Sequence, residues 1–135
     1  ILLYVGRIAP HKGIHLVLET FDLIKNRIPN SKLLIVGKST FENYFNKLKK
    51  LANKDVVFAG YVDDKELPYY YAACDLYVTA SLWEGFNIPA AEAQACGKKV
   101  VAFNIGSHPE IVKNGVLVEK GDVKSFAHAV IKLLR

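Results

Sequence analysis

Ile1-Leu2-Leu3-Tyr4-Val5-Gly6-Arg7-Ile8-Ala9-Pro10-His11-Lys12-Gly13 leads into residues 14 to 28 and then into Leu33-Leu34-Ile35-Val36, and this stretch decides the fold. A short apolar run ends at a glycine. The next segment places Leu16, Leu18, Phe21, Leu23 and Ile24 at helical spacing until Pro29-Asn30 stops it, and a second apolar run follows. Continuous apolar runs of this length fit strands buried on both faces, as in a parallel sheet covered by helices. The first third of the chain therefore reads strand, crossover helix, strand.

The pattern continues outward. Further apolar runs lie at Val56 to Ala59, Leu76 to Val78 and Val100 to Phe103, and Phe41, Phe45, Leu48 and Leu51 repeat with helical period. Asp63 and Glu66 stand at capping-box spacing before a helix over Leu67 to Ala73, where Pro68 predicts a late or broken start. Pro89 suits the first turn of a helix that runs through Ala95 and ends at Gly97, and Asp122 caps a last helix from Val123 to Leu134. The expected alternation is βαβαβαβαβα. Right-handed crossovers then give an open, doubly wound parallel sheet of the Rossmann-like α/β class, with ligands beyond the carboxyl ends of the strands at a topological switch point. Residues 1 to 135 form one expected domain with no linker or internal repeat.

Composition agrees. A chain of 135 residues buries about 68% of its unfolded surface, and 51% hydrophobic with 23% charged residues excludes disorder and collagen-like repetition. No run of about 20 apolar residues could cross a bilayer, and no signal peptide is evident. The expected setting is the cytoplasm. Cys74 and Cys96 form no disulfide framework and read as buried small hydrophobes. The net charge of +5 suits an anionic partner. Much of the excess sits in Lys47, Lys49, Lys50 and Lys54, which read as the solvated face of an amphipathic helix, with docking to the inner face of a membrane as the minority reading. The chain contains no methionine and opens in an apolar run, which suggests a piece of a longer protein.

Chemistry concentrates in loops after strands. Gly6-Arg7 and Lys12-Gly13 place two cations before a helix N-terminus, a site for a diphosphate, although the same residues also suit a tight turn with solvated cations. Neither G-x-G-x-x-G nor a Walker A motif is present. Val36-Gly37-Lys38-Ser39 and Ala59-Gly60-Tyr61-Val62 end on the same edge, the second offering main-chain groups and an apolar ledge to a flat ring. The strongest signal is the segment from Ser81 to Gly97. Glu84 lies in the loop after the fourth strand and Glu92 in the first turns of the next helix, so both carboxylates can face one cleft and grip vicinal hydroxyls. The alternative is that Glu92 complements the helix dipole and Glu84 is solvated.

Together, Gly-Arg with Lys-Gly, S-x-x-E-G-F, E-x7-E running into E-A-x-A-C-G, and G-x-x-x-E at Gly106 to Glu110 resemble the C-terminal domain of group-one retaining GT-B glycosyltransferases, similar to sucrose and glycogen synthases. The resemblance covers essentially the whole chain. It implies that Arg7 and Lys12 hold the donor diphosphate and stabilise the leaving group, that Glu92 meets the ribose and Glu84 grips the transferred sugar, making Arg7, Lys12 and Glu84 the catalytic candidates, and that Gly85 to Ile88, through the amides of Phe86, Asn87 and Ile88, reach sugar and phosphate. Residues around Gly60 to Val62 match the segment that flanks the base. Beside what the resemblance implies, Gly6 and Gly37 are further substrate-binding candidates, although the Gly37 segment reads more readily as a plain turn. The resemblance also implies a nucleotide-sugar donor, no cofactor or metal, no nucleic acid, an N-terminal acceptor domain absent from this chain, and an acceptor of unknown identity. The alternatives are a GT-B nucleotide-sugar epimerase and a non-catalytic nucleotide-sugar binding module.

Three positions depart from the family's habit: Asn87 for glycine, Gln94 for methionine and Lys99 for proline. At Asn87 the added side chain is expected to narrow the sugar pocket or to offer a contact to a sugar hydroxyl. His11 and His108 fall in loops on the binding edge without metal-ligand spacing, Tyr69-Tyr70-Tyr71 reads as helix packing rather than base stacking, and Glu110 either caps a helix or touches the sugar.

Overall fold

The computed structural model describes residues 1–135. Six strands and six helices follow one another: β1 (Leu2–Val5), α1 (Ile14–Arg27), β2 (Leu33–Val36), α2 (Glu42–Leu51), β3 (Val56–Gly60), α3 (Leu67–Ala73), β4 (Leu76–Thr79), α4 (Ile88–Ala95), β5 (Lys99–Phe103), α5 (His108–Ile111), β6 (Gly115–Val118) and α6 (Val123–Leu134). A single 3₁₀ turn, Pro10–Lys12, precedes α1. All pairings are parallel, in the order β3-β2-β1-β4-β5-β6. The chain starts in the middle of the sheet, runs to one edge, then returns to the other side of β1. The switch point lies between β1 and β4, where the sequence motifs converge.

Two apolar layers hold the sheet. On one face α1, α2 and α6 bury Val17, Phe21, Ile24, Leu48, Phe126 and Val130 against Tyr4, Ile35, Val78 and Phe103. On the other, α3 and α4 bury Tyr71, Ala90 and Ala93 against Leu3, Tyr77, Val100 and Ala102. Each fully buried large apolar side chain contributes about 1.5–3 kcal/mol. Alanines at the α4 contact let that helix approach the sheet closely, which keeps its N-terminus near the ends of β1 and β4.

Several details differ from the sequence reading. A sixth strand, β6, extends the sheet, and the short α5 precedes it. The sequence gives each only four residues, one opening on glycine and the other containing a proline. As an edge strand β3 is half-exposed rather than buried on both faces, with Val57 facing solvent. Phe41 precedes α2, and Leu23 and Leu51 lie on exposed helix surface. Asp63 forms no capping box: its carbonyl and carboxylate accept from Glu66 and Lys65 backbone N–H groups in a tight turn, and α3 starts at Leu67 with Pro68 in its first turn. Cys74 is buried, but Cys96 is exposed. Asp122 caps α6 as expected, its carboxylate accepting from the Ser125 N–H at 3.0 Å.

Candidate functional site

The strand ends part at the switch point because a side chain comes between them. Pairing of β1 with β2 runs on to Val5 and Val36, whereas the paired residues of β1 and β4 stop at Leu3 and Tyr77. The fully buried Tyr77 hydroxyl accepts from the Val5 N–H at 3.2 Å and donates to the Val5 carbonyl at 2.9 Å. It satisfies the two backbone groups that β4 would otherwise have met. Burial holds this phenol protonated, well above its ordinary pKa. A cleft of about 170 Å³ opens beyond it, lined among others by Gly6, Arg7, Lys12, Glu84, Phe86 and Asn87.

The loop after β1 is clamped at both ends. The Gly6 N–H continues the ladder to the Val36 carbonyl, and a Cβ on Gly37 would stand 1.8 Å from the Gly6 carbonyl oxygen, so the β1 and β2 loops touch only because Gly37 has none. Tyr4 donates from its hydroxyl to the Arg7 carbonyl at 2.9 Å. Between these anchors the Arg7 side chain is exposed and forms no ion pair within the protein. Lys12, on the 3₁₀ turn, points inward instead. Its Nζ lies 2.9 and 2.8 Å from Oε1 and Oε2 of Glu84.

Glu84 is only 8% exposed. Ser81, fully buried, donates from Oγ to Glu84 Oε2 at 2.7 Å, and its Oγ lies 3.2 Å from Thr79 Oγ1. The Glu84 backbone is packed as tightly as its side chain: Gly106, at φ +53°, would bring a Cβ within 2.2 Å of the Glu84 carbonyl oxygen. That contact explains a glycine at the start of G-x-x-x-E. Glu110, four residues on, sits in the first turn of α5 and is exposed.

Asn87 lines the cleft and has a second role within the fold. Its side chain is buried and spent within the protein, Oδ1 accepting from the Ala90 N–H at 3.2 Å as the cap of α4. It lines the cleft as the residue that caps the helix, and Ile88 is already the first residue of α4. Phe86 and Ile88 flank the cleft as exposed apolar side chains, and Gly85 is exposed beside them. His108 does not lie in a loop: it opens α5 and is fully buried. Gln94 ties α4 to the turn before β6, donating to the Ile111 carbonyl and accepting from the Lys113 and Asn114 N–H groups.

A second groove of about 250 Å³ adjoins the first through Gly6 and Arg7 and is walled by Gly37, Lys38, Tyr61, Val62 and Asp64. Gly60 supports it from behind, its carbonyl accepting from the Gly37 N–H at 2.8 Å. Glu92 lines neither groove. It sits exposed on the second turn of α4, where Oε1 accepts from the Tyr71 hydroxyl at 3.3 Å. Burial of Tyr71, with the Glu92 charge beside it, keeps that phenol protonated. Of the three tyrosines in a row, Tyr71 is core and Tyr69 is exposed. The structure thus gathers Gly6, Arg7, Lys12, Glu84, Phe86, Asn87 and Ile88 into one cleft, and Gly37, Tyr61 and Val62 into the next. A surface groove of about 680 Å³ between β6 and α6 contains none of these residues. No three His, Cys, Asp or Glu side chains converge as a metal-binding group. The sequence reading gave Tyr77 no role and used Ser81 only as the first residue of S-x-x-E-G-F; a tyrosine within an apolar run and a serine three residues before Glu84 were the available signals.

Fold and site together define a Rossmann-like domain of GT-B architecture, with a crevice flanked by two cations and one buried carboxylate. The chain belongs to the family of glycosyl transferases group 1, whose family model matches residues 1–135. It is 30% identical over 98% of its length to O-antigen chain mannosyltransferase B of Escherichia coli, and 34% identical over 97% to the capsular polysaccharide biosynthesis glycosyltransferase CapM of Staphylococcus aureus. It spans 36% of each of those proteins. Among solved structures, HepE of Anabaena in complex with UDP and glucose superposes with a TM-score of 0.91 at 28% identity, covering 99% of this chain and 38% of that one.

Proposed function

We propose that this chain is the donor-binding domain of a retaining glycosyltransferase that moves a sugar from a nucleoside-diphosphate sugar to an acceptor held by a second, N-terminal domain. The observation that carries the reading is the Lys12–Glu84 pair at the mouth of the β1/β4 crevice, with Arg7 unpaired beside it. A diphosphate entering there meets the Arg7 guanidinium, the Lys12 ammonium and the N-terminus of α4, three sources of positive potential aimed at the charge a departing nucleoside diphosphate develops. With two protein cations in place, the reaction proceeds without a metal.

The transferred sugar lies against Glu84 and the Phe86 to Ile88 backbone. Lys12 turns from Glu84 toward the phosphate as the ligand enters, which frees carboxylate oxygens to accept from sugar hydroxyls. The second groove takes the base between Tyr61, Val62 and the loop after β2. Glu92, with one oxygen occupied by Tyr71, keeps the other for a ribose hydroxyl. The complex of HepE with UDP and glucose supports the donor assignment by homology. The exposed lysine face of Lys47, Lys49, Lys50 and Lys54 suits a cytoplasmic enzyme working at the inner surface of a membrane.

Titration calorimetry of this chain with UDP, GDP and their sugars, in the presence of a chelator, tests the reading. Heat of binding that survives chelation and weakens with salt is expected. Absence of binding by every nucleotide, or binding that requires added magnesium, would overturn it. For the longer protein, NMR of the product's anomeric centre reads retention directly.

A further inference from the structure

His108 and Asn87 form a buried hydrogen-bonded chain with one consistent polarity. His108 Nδ1 lies 2.7 Å from the carbonyl oxygen of Phe103, at the end of β5, and Nε2 lies 3.1 Å from Asn87 Nδ2. A carbonyl oxygen only accepts, so Nδ1 carries the ring proton and Nε2 is left to accept from the Asn87 amide. That acceptor in turn fixes Asn87 with its NH₂ toward the imidazole and its Oδ1 toward the Ala90 N–H, 3.2 Å away. Reversing the Asn87 amide would lose both bonds at once. His108 is fully buried and touches neither groove, yet its hydrogen bond ends on the residue that caps α4.

We propose that His108 is a positioning residue for sugar recognition: through Asn87 it fixes the backbone of Phe86 to Ile88, the segment that meets the sugar of the bound donor. The inference rests on the donor reading above. The nucleotide half of the ligand is held chiefly by Arg7, Lys12 and the β2 and β3 loops, none of which hydrogen-bonds to His108; only the α4 N-terminus, at the diphosphate, adjoins the Asn87 link. Loss of the imidazole should therefore be felt far more by the sugar than by the nucleoside diphosphate, which keeps Arg7 and Lys12. Phe103 anchors the chain in the core, its ring 5.5 Å from that of Phe126, so the β5 end of the link is rigid.

The experiment is calorimetry of the parent chain with UDP, GDP, UDP-glucose and GDP-mannose, repeated for His108→Leu, His108→Gln, Asn87→Gly and the His108→Leu/Asn87→Gly double variant. His108→Leu should weaken the bound nucleotide sugar about tenfold while leaving the nucleoside diphosphate within about twofold. His108→Gln, which keeps a donor and an acceptor in the cavity, should recover part of the loss and serves if the leucine variant does not fold. In the Asn87→Gly background, His108→Leu should cause no additional sugar-selective loss, because the link it acts through is gone. Long-range ¹⁵N spectra of the ligand-free parent should show the Nδ1-protonated neutral imidazole. Equal weakening of both ligand types by both His108 variants, additive losses in the double variant, or an Nε2-protonated ring would overturn the proposal. If the parent binds none of the four ligands, the donor reading itself fails before any variant is compared.

Discussion

Lys12 Nζ bridges both carboxylate oxygens of Glu84, so the cation assigned to the diphosphate and the carboxylate assigned to the sugar neutralise each other across 72 residues of sequence. Ligand entry must redistribute that pair, and the two partners should respond differently to substitution. Glu84→Gln frees Lys12 for phosphate; nucleoside diphosphate should bind at least as tightly as in the parent, and nucleotide sugar more weakly. Lys12→Ala strands a mostly buried carboxylate and should lose both ligands together with stability, since removing one member of a buried pair costs about 3–5 kcal/mol. Calorimetry and thermal melts read the two effects separately. Identical losses for both ligands in both variants would show that the pair is purely structural.

Arg7 offers the opposite case. Exposed and unpaired within the protein, it contributes little to the fold, so Arg7→Ala should leave the melting temperature close to that of the parent. Its affinity for nucleoside diphosphate should fall by about 1.5–3 kcal/mol, the scale of a hydrogen bond to a charged group. Weaker salt dependence should accompany the loss. Unchanged affinity would move the phosphate site away from the β1 loop.

Asp64 is the carboxylate that lines the second groove. A guanine edge presents adjacent N1–H and N2–H donors to a carboxylate, whereas uracil presents one N–H between two carbonyl oxygens that repel it. Asp64→Asn should therefore narrow any preference for GDP over UDP. A preference that stays the same in the variant would place the base elsewhere in the groove.

How much of this was legible in the sequence depends on the kind of interaction. Runs such as Leu33 to Val36, buried on both faces of a central strand, announce themselves through composition alone, and the glycines and cations around β1 were readable because few residue types serve there. The edge strand β6 was not, since Gly115-Val116-Leu117-Val118 is short and half-exposed, and neither was the exposure of Cys96, which depends on the face that α4 turns outward. The capping role of Asn87 was hidden for a similar reason. Its position beside the crevice was right, but whether a side chain turns toward a ligand or back to cap its own helix is decided by what lies behind it, and His108 is 21 residues away. Glu84 and Glu92 do not share a cleft: Glu84 lines the crevice, whereas Glu92 lies on the exposed surface of α4 beside Tyr71.

Asp55 joins three elements at the edge of the sheet opposite the crevice. Its carboxylate accepts from Lys25, near the end of α1, at 2.6 Å and from Lys32, just before β2, while its own carbonyl accepts from the Leu33 N–H at 3.0 Å. The two lysine ammonium groups hold its pKa down to about 2, from the usual 3.8. A carboxylate whose pKa is depressed by folding contributes stability that is present above the unfolded value and is lost as pH falls toward the folded one. The contribution of Asp55 should thus be complete at neutral pH and should fade between pH 3.8 and about 2. Asp55→Asn keeps the shape and one acceptor oxygen but removes the charge. The variant should melt below the parent at pH 7, and the gap between the two should close as both are titrated through that window. Because the site lies at the far end of the strands from Gly6, Lys12 and Glu84, nucleotide affinity at neutral pH should be the same in both proteins. A gap in melting temperature that persists at pH 2, or an equal loss of nucleotide binding, would mean that Asp55 acts through something other than its two lysines.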